Sequence, residues 1–596
     1  MLRSFTQILS SLITVVALSS VTTVFAEEKP LGFTGGNPMS LIDGNSAHLE
    51  VLMKDEFPSA TRCATCHQKQ FWEWASSNHA YASVSPMFHK FEQAVNALTD
   101  GTMGTFCTRC HQQVGTQKGE PRELPLWDRS IVAREGITCI TCHRVNSEFG
   151  KVNGERHIQP GTIWDPVYNS GDGENFPDVI ANKEYYRVTD EPGKGGTPIH
   201  GGVTLFEQIG DSEFCVSCHQ VKVNLGIKLE VVWEQYRASP ALEMGITCQD
   251  CHMGKIPGEA KGYASWPTAI VNGRVVGDPN KKHANHAFYG PGYPIAHPGI
   301  FPFNPRALKW SIKEWITFDY RAPWGDADWE AQLKAGEVEA PDFPETWADA
   351  EDRMWARHIV RQNQKLLEDK KLDRKAVMEN GSRIDGPFFD GETPAAGKAL
   401  DIRYRITNVD LGHNLPSGSL GAQPEIWFNI AILDPDGERI FESGYVDSYG
   451  DMADNHSLDV AAGKIAHDDQ LVNLQTKFLT TNVKGTDREM YLPVNFDVDQ
   501  KPFLRPSGVP TSVQNHPPLV RMEGRSIPPL GWRDAKYKVP ASKMTKKGTY
   551  KALVRLRSRA EPLYFMKFVG ATQDMERAIN EWMLDFHAYA VEFEVK

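Results

Sequence analysis

The chain has no spare cysteine. All ten fall in five copies of one short motif: Cys63 to His67, Cys107 to His111, Cys139 to His143, Cys215 to His219 and Cys248 to His252. None is left for a structural disulfide, a thiolate cluster or a free nucleophile. The chain also lacks a basic patch, and its formal net charge is −12, which argues against nucleic acid as a partner. Long apolar runs are missing as well. The stretch Ile8 to Leu18 is too short to span a bilayer, and no lipid-attachable cysteine follows it, so no integral membrane anchor is expected. With Arg3 ahead of it and the small-residue spacing Val24-Phe25-Ala26 behind it, the stretch reads as a signal peptide over 1–26. The mature chain is then exported, to the periplasm or to the cell surface.

What is present is the spacing C-x-x-C-H. Two thiols placed this way reach the two vinyl groups of one porphyrin, and the next histidine falls beneath the iron as its axial ligand. A thioredoxin-like pair would occur once and without the trailing histidine. A zinc site needs paired knuckles that share one metal. Five units, each ending in His, predict five covalently attached haems c. They would be bound through Cys63, Cys66, Cys107, Cys110, Cys139, Cys142, Cys215, Cys218, Cys248 and Cys251, with His67, His111, His143, His219 and His252 on the irons.

The second and third motifs repeat as the fourth and fifth. Phe106 to Gln112 (FCTRCHQ) matches Phe214 to Gln220 (FCVSCHQ), and Gly136 to His143 (GITCITCH) matches Gly245 to His252 (GITCQDCH). The shared Phe and Gly-Ile-Thr exceed what haem attachment requires, which favours a haem pair used twice.

The sixth position on each iron decides function. A second His or a Met closes it and gives an electron carrier; an open position gives a site for a small molecule. Candidates are His79, after a short aromatic helix predicted over Gln68 to Ser77; His89 and His200, each ahead of a motif pair; and the cluster His283, His286 and His297. His157 and His413 complete the set, the latter on a loop that could cap a haem across a domain interface. For each, the alternative is a hydrogen-bonded loop histidine. His48, His358, His456, His467, His516 and His587 read as loop, packing or surface residues. Met87, Met103 and Met253 read as core filling.

The fold expected is α + β. A mostly helical or irregular pentahaem region (27–300) wraps its cofactors, with a long irregular linker from Arg144 to His200. A helical connector (301–395) follows, with helices over Leu308 to Phe318 and Trp347 to Lys371 and a boundary at Gly381 to Ala396. A β-sandwich-like domain (396–596) closes the chain. Its strands are signalled by the alternation of Leu400, Ile402, Tyr404 and Ile406, of Ile426, Phe428, Ile430 and Ile432, of Tyr550, Ala552 and Val554, and of Tyr589, Val591, Phe593 and Val595. Met575 to Phe586 reads as a helix. Asp434-Pro435-Asp436-Gly437 reads as a hairpin turn, with calcium binding as the alternative.

These segments resemble the multihaem cytochromes related to cytochrome c554. The likeness rests on CATCHQKQFWEWASSNH (Cys63 to His79), on the repeated FCxxCHQ and GITCxxCH segments, and on the His-x-x-His-x-Phe-x-Gly run from His283 to Gly290. Ile406 to Gly418 (ITNVDLGHNLPSG) resembles the start of a β domain fused to some members. The resemblance implies closely stacked haem pairs, mostly bis-His ligation and periplasmic or surface electron transfer. The family's namesake has four haems, so its ligation pattern does not carry over one to one. Pentahaem nitrite reductases place a Lys in one motif; all five here end in His. Two functions remain open. One is electron transfer between donor and acceptor redox proteins. The other is reduction of a small nitrogen or sulfur compound at one five-coordinate haem.

Overall fold

Short helices carry the motifs, and local sequence explains where each starts. In the computed structural model the third and fifth motifs occupy Cys139–His143 and Cys248–His252. Thr247 caps the latter: its Oγ1 accepts from Asp250 N (3.3 Å), and the Asp250 carboxylate accepts from Thr247 N (2.8 Å). Thr138 N donates to Thr141 Oγ1 (3.2 Å) in the matching box. Gly136 and Gly245 ahead of them have φ of +66° and +68°, which a side chain resists. A Cβ on Gly136 would also stand 2.4 Å from the His79 carbonyl oxygen. The repeated Gly-Ile-Thr is therefore a turn and a helix cap.

The described residues are 55–98, 101, 103–150, 153–154, 156–222, 228–389, 391, 393–418, 424–480, 490–491 and 520–596. The expected signal peptide, His48 and His516 lie outside them. The architecture mixes helices with several small sheets, and among the described residues no helix is long and apolar enough to cross a membrane.

Helices Gln68–Ala75, Asn78–Tyr81 and Pro86–Leu98 follow the first motif. Phe71, Trp74 and Tyr81 pack with Tyr293 and Phe301 and with Leu563, Phe565 and Ile579 from the end of the chain. The stretch from Arg144 to His200 is less irregular than its composition suggests. It holds strand Val167–Asn169 and helices Phe176–Ala181 and Lys183–Tyr186.

Farther along, the expected helix over Leu308 to Phe318 is a 3-10 turn (Pro305–Lys309) and a single helical turn (Ile312–Trp315), because Ser311 caps a new start. Trp310, Trp315, Phe318, Trp324 and Trp347 form one aromatic cluster beside it. The next helix, Ala350–Asn380, has 31 residues and is longer than its apolar pattern indicates. Buried arginines anchor it along its length, Arg374 in the turns beyond the expected end. Arg353 pairs with Glu330; Arg357 donates to the Tyr320, Ala322 and Trp324 carbonyls. Arg374 donates to Pro291 O (2.5 Å), Trp582 O (2.9 Å) and Ser558 Oγ (3.2 Å), joining three distant segments.

The expected boundary at Gly381 to Ala396 contains a strand, Ser382–Phe389. It pairs antiparallel with Leu400–Asn408, which pairs with Trp532–Val539. A second sheet runs Arg439–Ser443, Glu425–Leu433, Gly548–Arg559, Leu584–Val595, with Val472–Asn473 added on Glu425–Leu433. Leu400, Ile402, Tyr404 and Tyr537 of the first share one apolar cluster with Phe428, Ile430, Tyr550 and Phe593 of the second. The helix expected over Met575 to Phe586 is Gln573–Glu581; Leu584 onward alternates and joins the sheet. At Asp434 to Gly437 the Asp434 carboxylate accepts from Asp436 N (2.9 Å) and Glu438 N (3.0 Å), and Lys546 is the cation on it. That is a side-chain-closed hairpin turn.

Candidate metal centres

Each motif histidine has its Nδ1 tied down. The acceptors are Thr268 O for His67 (3.1 Å), Ala82 O for His111 (3.2 Å), Tyr168 O for His143 (2.9 Å) and Tyr289 O for His252 (2.5 Å). For His219 the acceptor is the Glu230 carboxylate (3.2 Å). A donating Nδ1 fixes the ring and leaves Nε2 with its lone pair for a metal.

Three of these rings face a second histidine. Ring centres are 6.3 Å apart for His219 and His79, 6.4 Å for His143 and His286, and 6.1 Å for His252 and His413. Two imidazoles on one ion, with metal–nitrogen bonds of roughly 2.0 Å, stand about 6 Å apart centre to centre. His286 Nδ1 donates to Ala284 O (2.8 Å) and His413 Nδ1 to Asn414 O (3.1 Å), the outward anchoring seen on the motif side. His200 neighbours His67, the group whose charge acts on it most, and its Nδ1 donates to Gly202 O (3.1 Å). Burial pushes His79 down to about 3, and His200 and His286 to about 4, so all three are neutral, as a ligand must be. For His219 the hydrogen bond and charge of Glu230 outweigh burial and raise the ring to about 9, so a metal binding there would displace its Nε2 proton.

Other candidates are engaged differently. His89 Nε2 donates to Ser83 O (2.8 Å). His283 Nε2 lies on both Glu73 oxygens (2.8 and 2.9 Å), and Glu73 also accepts from His286 N (3.0 Å). His297 uses Nε2 on Phe318 O and Nδ1 on Gly299 N. His157 Nδ1 meets Gln117. The ring stacked on His111 is that of Phe88, parallel at 4.3 Å, while His89, close enough for the charge of His111 to act on it, keeps its Nε2 on Ser83 O.

The cysteines are adjacent across motifs. Cys63 lies beside Cys139, Cys110 beside Cys218, and Cys215 beside Cys248; the neighbouring thiol, then burial, pushes Cys139 and Cys215 well up. Half-buried Arg156 stands among Cys110, Cys142, Cys215 and Cys218, with Phe214 against its guanidinium at 5.1 Å. It links the third motif to the second and fourth. Arg156, Glu73 and Glu230 escaped sequence reasoning. Only the position of Glu230, just past a break that permits a hairpin, could have drawn attention to it.

Among the described residues no group of three or more His, Cys, Asp or Glu assembles to hold a metal ion. Facing imidazole pairs do assemble. That donor set suits an ion whose equatorial ligands come from a porphyrin, and the paired cysteines beside each motif histidine suit its covalent attachment.

Residues 62–144 match the family described as cytochrome c554 and c-prime. Among solved structures the chain is similar to a penta-heme cytochrome c552 from Thermochromatium tepidum, with 12% identity over 90% of this chain and 99% of that one and a TM-score of 0.48. A second is Pseudomonas fluorescens alkylpurine DNA glycosylase AlkC bound to DNA containing an abasic site analog, at 10% identity over 46% of this chain and 43% of that one, TM-score 0.13. Neither structural likeness bears on function at these values. No curated protein matches. The family match supports a multihaem c-type cytochrome.

Proposed function

We propose that this chain is an exported pentahaem c-type cytochrome that passes electrons between a donor and an acceptor protein. The observation that carries the proposal is the set of histidine pairs with ring centres 6.1 to 6.4 Å apart. Haem c supplies one-electron chemistry at its iron. The chain does the rest. His67 with His200, His143 with His286, His219 with His79, and His252 with His413 would hold the iron at four centres. Outward hydrogen bonds would lock every one of these rings but His79, which packs on Phe288 (4.1 Å), so little rearrangement would accompany each electron. Adjacent cysteines of different motifs would keep neighbouring centres close, and Arg156 places a positive charge among them.

The division into a haem-binding region (27–300), a connector (301–395) and a β-sandwich-like domain (396–596) belongs to the proposal. In it, the sandwich contributes His413 and thereby completes the fifth centre. The signal segment 1–26 is removed on export to the periplasm or cell surface.

His111 favours a second reading for one centre. The ring stacked on His111 is that of Phe88 rather than a histidine, so a haem there would be left with an open position, and Glu230 is among the groups whose charge acts on His111. A small nitrogen or sulfur compound would be reduced there, using electrons from the other four.

Pyridine haemochrome and EPR of the purified holoprotein test both readings. The carrier reading expects five haems per chain and at least four low-spin centres. The open-site reading expects one high-spin centre that binds carbon monoxide when reduced and nitrite or hydroxylamine when oxidised. Five low-spin centres with no carbon monoxide binding remove the second reading. Fewer than four low-spin centres remove the first.

A further inference from the structure

We infer that Glu230 singles out the centre held by His219 and His79, lowering its reduction potential relative to what its ligands alone would give. The inference rests on the bis-histidine haem reading above. At the other four motif histidines, Nδ1 donates to a neutral main-chain carbonyl. Among the motif histidines only His219 donates Nδ1 to a carboxylate, Glu230 Oε1, at 3.2 Å; at the fifth centre Asp410 stands 3.5 Å from Nδ1 of the facing His413, farther off than the Asn414 carbonyl that this Nδ1 donates to.

The fold builds this contact directly. His219 ends its helix, and the chain runs into Val221–Lys222, which pairs antiparallel with Lys228–Glu230 in the register Val221↔Glu230. A two-stranded hairpin thus returns Glu230 to the histidine it left eleven residues earlier. The Glu230 side chain is 19% exposed, so water screens its charge weakly.

Two effects act in one direction. A carboxylate acceptor draws the Nδ1 proton toward itself, which makes the imidazole a stronger donor to iron and favours the ferric state. The negative charge also favours the more positive oxidation state through space. Arg156 and Lys370 lie near His79 and act the other way. The claim therefore concerns the increment due to Glu230, not the absolute rank of the centre. Glu230 is also among the charges that His111 senses, so a smaller effect of the same sign is expected there.

Position gives the increment a use. Cys218 adjoins Cys110 of the second motif and Cys215 adjoins Cys248 of the fifth. A centre between those two that electrons occupy reluctantly acts as a step rather than a store.

The test is a potentiometric titration of full-length holoprotein, with each low-spin centre followed by its own EPR signal. In Glu230→Gln one midpoint rises, by a tenfold shift in that centre's reduction equilibrium, about 59 mV for one electron. The high-spin or second-motif signal rises less, and the other three stay put. Glu230→Asp gives a smaller rise, and it carries the same test should Glu230→Gln fail to assemble. No movement in any midpoint, or equal movement in all five, overturns the inference. Haem count and spin states of the unmodified protein decide the underlying reading separately.

Discussion

The two halves of the chain bury apolar surface in different ways. In the C-terminal strands one cluster runs from Leu400 through Phe428 and Tyr537 to Phe593 and Val595, and side chains fill it continuously. In the motif-bearing half much of the apolar surface is broken up. Phe57, Val114, Val132, Ile140 and Ile158 form one small group, Val145, Phe206 and Phe214 another, and Val179, Tyr186 and Val271 a third. Between them lie cysteines and histidines. The contrast shows a half that its own side chains can fold beside one whose centre, on the proposed function, belongs to a cofactor.

The hardest way to break this comparison is to block haem attachment. Replacing the motif cysteines with serine is expected to abolish amide protection across 60–300 while strands 400–408, 425–433 and 548–559 stay protected, as read by hydrogen exchange. Equal loss in both halves would refute the distinction. The next effect belongs to the C-terminal half. Arg559 and Glu425 form an ion pair at 0% and 1% side-chain exposure. Arg559→Ala leaves a buried carboxylate unpaired and is expected to cost about 3–5 kcal/mol, measured as a lower denaturant midpoint by far-UV circular dichroism. The haem absorption of the first three centres should not change.

A third effect sits where the halves meet. Burial pushes Glu561 up to about 7 from its ordinary 4.5, against the pull of Arg374. The folded protein thus holds this proton more tightly than the unfolded chain. Its contribution to stability is complete below about pH 4.5 and is lost as pH rises through about 7. Glu561→Gln is expected to flatten that decline and to stabilise the protein at pH 8 by on the order of 2 kcal/mol, as thermal unfolding across pH would record. The smallest effects are spectroscopic. His413→Ala should convert one low-spin centre to high spin by EPR. His283→Ala and His89→Ala should convert none, because their Nε2 atoms already serve Glu73 and Ser83.

Sequence reasoning reached the two halves unequally for the same physical cause. Strand alternation is local, so Leu400 to Ile406 and Ile426 to Ile432 could be placed from spacing alone. The strand at Ser382–Phe389 escaped because Gly386 and Pro387 interrupt it; the pairing shifts register there, between Asp385 and Phe388. The long helix was underestimated because its later turns are anchored through buried Arg374, a residue an apolar count ignores. At the candidate metal centres, the C-x-x-C-H spacing is local and marks five candidate cofactor sites at once. Which histidine faces which motif depends on contacts such as His413 with His252, far apart in the chain, and no spacing encodes them. Glu73 holding both His283 and His286 N is of the same kind.

The pairing of His252 with His413 has a consequence for the order of assembly. All five motifs are complete by His252, whereas His413 sits on the turn after strand Leu400–Asn408, in a sheet that needs Trp532–Val539 to close. During synthesis the cysteines therefore emerge first, and the ligand that seals the last centre emerges later. Its scaffold is finished only near the end of the chain. On the proposed function, the fifth centre would stay accessible on one side during covalent attachment and be covered late, so a chain truncated after residue 400 would still carry all five attachment motifs and lack the second ligand of the last.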